Sequence, residues 1–177
     1  MEREKNKAVL FSISLVLFSV LLQTSIPQSD DAKARIKEAS RIFLSPPDSA
    51  LTSVRVLKSI LELLDITAAL TPESQYKADI LHRIDVAKDL FLKESMFNEK
   101  GRQYLSLAYR QMTNGKKYEK PKELDEFVTP AEAQEKAQKY GQKMVEAALA
   151  EIDAGKPGEA ARFILELVLM IVTPMSG

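Results

Sequence analysis

The chain has 177 residues, with 25 basic and 25 acidic side chains and no cysteine. Disulfide frameworks, thiolate metal sites and a lipid on an amino-terminal cysteine are therefore excluded. The balanced charge disfavours nucleic acid as a partner, because a domain that neutralises several phosphates needs a clustered excess of lysine and arginine.

The first element that the sequence predicts is a signal peptide or membrane anchor in residues 1–26. An uncharged apolar run at 8–22 follows three basic residues, Arg3, Lys5 and Lys7, which is the pattern of a secretory signal. The run is shorter than the ~20 residues of a typical membrane span, although the next four residues bring its length close to that of a short span. No good cleavage site follows, so a cleaved signal and an uncleaved anchor both remain open. In either case we expect an exported chain that is periplasmic, extracellular or tethered to the outer face of the cytoplasmic membrane.

Residues 27–177 are predicted to form a single all-α domain, a compact antiparallel helical bundle or helical-hairpin array of about six helices. Each longer segment has apolar side chains at the three- and four-residue spacing of a helix. The first predicted helix covers 30–44, with Ser29 as its cap. The second covers 49–70 and has an apolar stripe wide enough to contact two neighbours.

The third predicted helix starts with Thr71 as cap and Pro72 at the first helical position, where the missing amide hydrogen is harmless. The helical spacing continues to Thr113, but one helix of that length would be about 63 Å long, against about 40 Å for the domain. We therefore predict a turn at 95–98 that separates a third from a fourth helix. A left-handed glycine, Gly115, is expected to end the fourth.

A charged connector is predicted at 115–128. Its four lysines surround Tyr118, but four acidic residues interleave with them or follow them. We interpret the connector as a solvated loop rather than as a patch for anionic lipid or another polyanion.

The fifth helix, predicted at 130–154, has the clearest start signal in the chain. Thr129 and Glu132 form a capping box around a proline at the first helical position. Mostly small side chains follow one face, which permits close approach of another helix. Gly155 is expected to end the helix.

The sixth helix, predicted at 157–172, follows after so short a turn that it must be the antiparallel neighbour of the fifth. It is apolar on almost every face, which is typical of the centre of a core or of a membrane segment. Its length and its charged residues favour the core. Those charged residues are Glu159, Arg162 and Glu166.

The last hairpin, 148–174, resembles the junction of a tetratricopeptide-type helix pair. It has a glycine turn, a small pair at Ala160 and Ala161, and a closing Pro174. The proline lies thirteen residues after Ala161, whereas about twelve are usual in that family, and no second copy occurs at a period near 34. The resemblance implies a helical-hairpin arrangement and no more.

Residues with catalytic chemistry are few, and we predict no catalytic, cofactor-binding or metal site. His82 is the only histidine and lies between Asp79 and Asp85, whereas a di-iron bundle needs two such motifs. We interpret the helical methionines as core filler rather than as haem ligands. Glu166 is the one acidic residue within an apolar helix, which would suit a general acid. Arg162 lies one turn earlier and is expected to neutralise it.

Three function classes remain open. The first is an exported, non-enzymatic interaction or scaffold module that binds a protein or peptide. The second is a carrier bundle for an apolar small molecule or lipid, and the third is an Asp/Glu-dependent enzyme centred near Glu166. A cavity lined by 160–172 would favour the carrier, a continuous concave face the scaffold, and a cleft that joins Glu166 to another ionisable side chain the enzyme. An uncleaved segment at 8–26 would add the membrane as a partner.

Overall fold

The computed structural model describes residues 29–44, 53–95 and 97–174. Within these ranges the chain is all-α, as predicted, with helices that pack against one another and no strand. The signal or anchor predicted at 1–26 lies outside the described residues and stays a prediction.

Six α-helices and one short 3₁₀ helix make up the described residues. The α-helices are α1 at 29–44, α2 at Ser53–Leu70, α3 at Lys77–Lys93, α4 at Glu99–Met112, α5 at Pro130–Asp153 and α6 at Pro157–Val172. The 3₁₀ helix, Lys122–Leu124, lies between α4 and α5. Residues 49–52, predicted as the first turn of the second helix, are outside the described residues.

Contacts between residues group the chain into two units, 1–34 and 35–177. The structure describes 29–34 of the first unit, and these residues form the first part of α1. Ser29, predicted as the cap, already lies within that helix, a one-residue difference that is common at helix ends. The helix packing and the sites described below belong to the second unit.

The centre of the core is α6, as the sequence predicted. It packs against α5, α2 and α4. Its buried side chains are distributed around most of the helix, at Ala160, Ala161, Ile164, Leu165, Leu167, Val168, Leu169 and Val172. Of the helices in the described ranges, none is long and apolar enough to cross a membrane.

The predicted turn between the third and fourth helices is confirmed. The structure ends α3 at Lys93 and starts α4 after Asn98, whose side-chain oxygen accepts from the backbone N–H of Gly101 at 3.0 Å. Gly101 also lets the two helices approach closely, since a Cβ at this position would lie 2.9 Å from Cδ1 of the buried Phe91. The polar break in the helical pattern therefore marks a tight hairpin.

The predicted start of the third helix at Thr71 and Pro72 is wrong, because α3 begins at Lys77. Thr71 closes α2 instead, where its hydroxyl donates to the carbonyl of Thr67 at 2.8 Å. Pro72 packs against the first turn of α6, since a Cβ on Gly158 would lie 3.0 Å from its ring. The Thr-Pro pair therefore ends one helix rather than beginning the next.

The signals predicted at the start of α5 and at the ends of α4 and α5 are confirmed. At the start of α5, Thr129 accepts from the N–H of Glu132 at 3.2 Å, and the Glu132 carboxylate accepts from the N–H of Val128 at 2.9 Å. Gly115 after α4 and Gly155 after α5 have φ of +97° and +71°. Glycine adopts this left-handed conformation without the steric cost that other residues carry.

The connector 115–128 is less solvated than the sequence predicted. Its 3₁₀ helix packs on α5 and buries Leu124. The hydroxyl of Tyr118 is also buried. Burial of the Leu124 side chain stabilises this contact despite the charged residues around it. The connector consequently contributes side chains to the pocket and to the surroundings of Glu166, which are both described next.

Candidate functional site

A pocket of about 570 Å³ lies where the carboxyl end of α1, the connector, α5 and α6 meet. Its volume is within the ~300–1,000 Å³ that is usual for ligand pockets. The lining is almost wholly apolar among the residues that the structure describes, and Lys120 is the one charged side chain among them. The lining residues described are Phe43, Leu44, Phe97, Lys120, Leu124, Ala137, Gly141, Leu167, Met170, Ile171, Thr173 and Pro174.

Small residues on α5 allow neighbouring side chains to approach closely at this pocket. A Cβ on Gly141 would lie 3.1 Å from Cδ2 of Leu44 and 3.5 Å from Cδ1 of Leu167. Ala137 lines the pocket one turn earlier, because residues four apart share a helix face. Larger side chains at these two positions would fill the pocket.

Lys120 lines the pocket, and two acceptors hold its ammonium group. Its Nζ donates to Oδ1 of Asp125 at 2.6 Å and to the carbonyl oxygen of Pro174 at 3.1 Å. Its side chain is 11% exposed, against 38% for that of Asp125. The ammonium group is therefore partly shielded from water, while its carboxylate partner is more exposed.

A second cluster surrounds the carboxylate of Glu166 on α6. Its Oε1 accepts from the hydroxyl of Tyr140 on α5 at 2.7 Å. Its Oε2 accepts from Nη1 of Arg162 at 3.1 Å and from the hydroxyl of Tyr109 on α4 at 3.4 Å. The Glu166 side chain is 15% exposed. This carboxylate thus connects α4, α5 and α6 by accepting hydrogen bonds from three donors.

The tyrosines in and beside this cluster have raised pKa values. Burial is the main cause that raises the pKa of Tyr140, and the hydrogen bond to Glu166 raises it further. Burial also raises the pKa values of Tyr118 and Tyr109, whose rings meet edge to face with centroids 5.8 Å apart. A tyrosine that holds its proton donates to a carboxylate, which is a stabilising role rather than that of a general base.

We expect the free energy of unfolding to fall above about pH 10. The folded chain keeps tyrosine protons that the unfolded chain releases near the ordinary pKa of about 10. The stabilisation is therefore complete below this pH and is lost as the pH rises through the raised folded values. Urea unfolding between about pH 8 and 11 measures the slope.

Tyr140→Phe should give a shallower alkaline loss than the wild type, because one of the shifted groups is removed. Tyr76→Phe is the matched control, since Tyr76 is exposed on the surface and should leave the slope unchanged. Equal slopes for Tyr140→Phe and the wild type would contradict the assignment.

The residues around His82 form no comparable site. The imidazole of His82 is exposed on α3. Asp79 instead accepts hydrogen bonds from Gln111 of α4 and from Arg83 at 3.0 Å, and these bonds lower its pKa, Gln111 most. Within the ranges that the structure describes, no group of three or more His, Cys, Asp and Glu side chains could hold a metal ion.

Part of this arrangement was predictable from the sequence. The pairing of Glu166 with Arg162 is confirmed, but the two tyrosine donors were missed because they lie 57 and 26 residues away in the chain. The pocket was missed as well. Gly141 was the one sequence signal for the pocket. A glycine inside a helix costs about 1 kcal/mol relative to alanine and commonly has a packing or functional reason.

Comparison with known proteins gives no matching family model, no similar curated protein and no similar solved structure. The likeness of 148–174 to a tetratricopeptide-type hairpin stays a resemblance of local sequence. The pocket and the Glu166 cluster are therefore the two features from which a function can be inferred.

Proposed function

We propose that this chain is an exported, non-enzymatic helical binding module that carries an apolar small molecule or lipid chain in its pocket. The supporting observation is the wall that α6 contributes to the pocket through Leu167, Met170 and Ile171. A cavity lined by the sixth helix is the feature that distinguishes a carrier from a scaffold. Export is proposed from the basic and apolar pattern of 1–26.

The apolar lining supplies the driving force for such a ligand. Removal of apolar surface from water contributes about 25 cal/mol per Å². A ligand that buries about 400 Å² would gain on the order of 10 kcal/mol before the cost of its immobilisation. Immobilisation costs at least about 4 kcal/mol, so we expect a net gain of at most about 6 kcal/mol, which corresponds to dissociation constants of tens of micromolar or weaker.

A protein or peptide partner is the second candidate. Phe97 lines the pocket and is also half exposed, so apolar surface continues from the pocket to the outside. An apolar side chain of a partner could enter the pocket while neighbouring residues contact this surface. Such a partner would compete with a small apolar ligand for the same lining.

The Glu166 cluster supports an enzyme less well. Glu166 is not among the residues that line the pocket. Its two oxygens already accept hydrogen bonds from two tyrosines and an arginine. These contacts favour a structural carboxylate over one that exchanges a proton with a substrate.

Nile red, a neutral apolar dye, tests the proposed function on the purified full-length chain. The wild type should bind it with a rise in fluorescence, and Ala137→Leu should weaken binding about tenfold or more by occupying the pocket. Gly141→Ala should weaken binding less, because it adds one methyl group. Both variants should remain folded, since leucine and alanine favour helices.

Ala150→Leu is the matched control, because Ala150 is an exposed residue of the same helix. It should bind the dye like the wild type. Equal dye binding by the wild type and Ala137→Leu would place the dye elsewhere on the chain and contradict the proposal. Absence of binding to the wild type would contradict it as well.

A further inference from the structure

We infer that the ligand of this pocket is an amphipathic anion, an apolar chain that ends in a carboxylate or a similar oxyanion, and that Lys120 binds its head group. The inference rests on the proposed function and adds the charge of the ligand to it. It follows from where the polar groups of the lining lie.

The two polar residues of the described lining, Lys120 and Thr173, belong to segments that lie close together. The bond from Lys120 to the carbonyl of Pro174 places the ammonium group beside the end of α6, where Thr173 also lines the pocket. The other lining residues that the structure describes are apolar. Polar residues grouped in one part of an otherwise apolar lining match a ligand that has a single polar head on an apolar chain.

Lys120 has a donor to offer to such a head group. An ammonium group carries three hydrogens. Among the described residues, Asp125 and the carbonyl of Pro174 are the two acceptors that Lys120 engages. One hydrogen is therefore not engaged by the described residues, and Lys120 itself belongs to the lining of the pocket.

The surroundings strengthen an anion's interaction with this lysine. Lys120 is more shielded from water than Asp125, with side chains 11% and 38% exposed. Water screens the exposed carboxylate, and such partly exposed pairs contribute little to stability. An oxyanion within the apolar pocket would meet the ammonium in surroundings of lower effective dielectric, where opposite charges attract more strongly.

The head-group preference distinguishes this inference from general apolar binding. Dodecanoate, dodecanol and dodecylammonium have the same chain and differ in charge. Displacement of Nile red from the full-length wild type should require about tenfold less dodecanoate than dodecanol, because hydrogen bonds to charged groups are the stronger kind. Dodecylammonium should be the weakest competitor, since its charge repels that of Lys120.

Variants assign the preference to Lys120. Lys120→Met should bind dodecanoate and dodecanol equally, whereas Lys120→Arg should retain most of the preference because it keeps a positive donor. Lys122→Met is the control, since Lys122 belongs to the same connector and is exposed. It should behave like the wild type.

The outcomes separate the inference from the function on which it rests. Equal competition by dodecanoate and dodecanol in the wild type would overturn the anionic ligand and leave apolar binding intact. The same preference in Lys120→Met as in the wild type would overturn the role of Lys120. If none of the three displaces pocket-bound Nile red, the inference fails, and if the dye itself does not bind, the proposed function fails with it.

Discussion

Leu165→Ala and Leu169→Ala should each lower the free energy of unfolding by about 2–5 kcal/mol, the usual cost of deleting a buried leucine. Both side chains are fully buried. They belong to α6, which packs against α2, α4 and α5, so no single neighbour can close the space that is left. A loss of this size is a large fraction of the 5–15 kcal/mol that stabilises a typical domain.

Urea unfolding at neutral pH measures this loss, with Leu92→Ala as the control. Leu92 is an exposed leucine on α3, and surface substitutions usually change stability by less than about 0.5 kcal/mol. A near-neutral result for both core leucines would mean that α6 is peripheral, and the packing described for it would then be wrong.

Glu166→Ala should lower the free energy of unfolding by about 1–3 kcal/mol, the second-largest loss that we expect. It removes the acceptor shared by Tyr140, Tyr109 and Arg162, and partly buried donors that lose their acceptor carry the cost of desolvation. Glu166→Gln should cost less, because an amide oxygen still accepts from one of the donors. The Glu166 carboxylate connects three helices, so Glu166→Ala removes more than one contact.

Glu159→Ala is the matched control for this carboxylate. Glu159 also pairs with Arg162, at 3.0 Å, but its side chain is largely exposed. Exposed pairs of this kind contribute about 0.3–0.5 kcal/mol. Equal losses for Glu159→Ala and Glu166→Ala in urea unfolding would show that Glu166 acts as an ordinary surface partner of the arginine.

Local sequence signals predicted most of the helices, because the residues that set helix ends act on their own backbone. Thr129 and Glu132 cap α5 through residues within four positions. Thr71 and Pro72 show where such signals fail. The same pair can open a helix or close one, and packing of Pro72 on the first turn of α6 accompanies the second outcome.

The two clusters could be predicted only in part, since they depend on contacts between distant helices. Arg162 was visible as a partner of Glu166 because it lies one helical turn away. The tyrosine donors become neighbours only when α4 and α5 pack on α6. A pocket is harder still to predict, because it reflects how α5 and α6 meet the end of α1 rather than any one residue type.

Methyl NMR of the full-length chain with added dodecanol tests most directly whether the pocket binds an apolar ligand. We expect shifts in the methyl signals of Leu167, Met170 and Ile171, which line the pocket. The methyl signals of Ile84, buried on α3 and outside that lining, should not move. Shifts confined to methyl groups outside the pocket, or no shifts at saturating dodecanol, would contradict the carrier function.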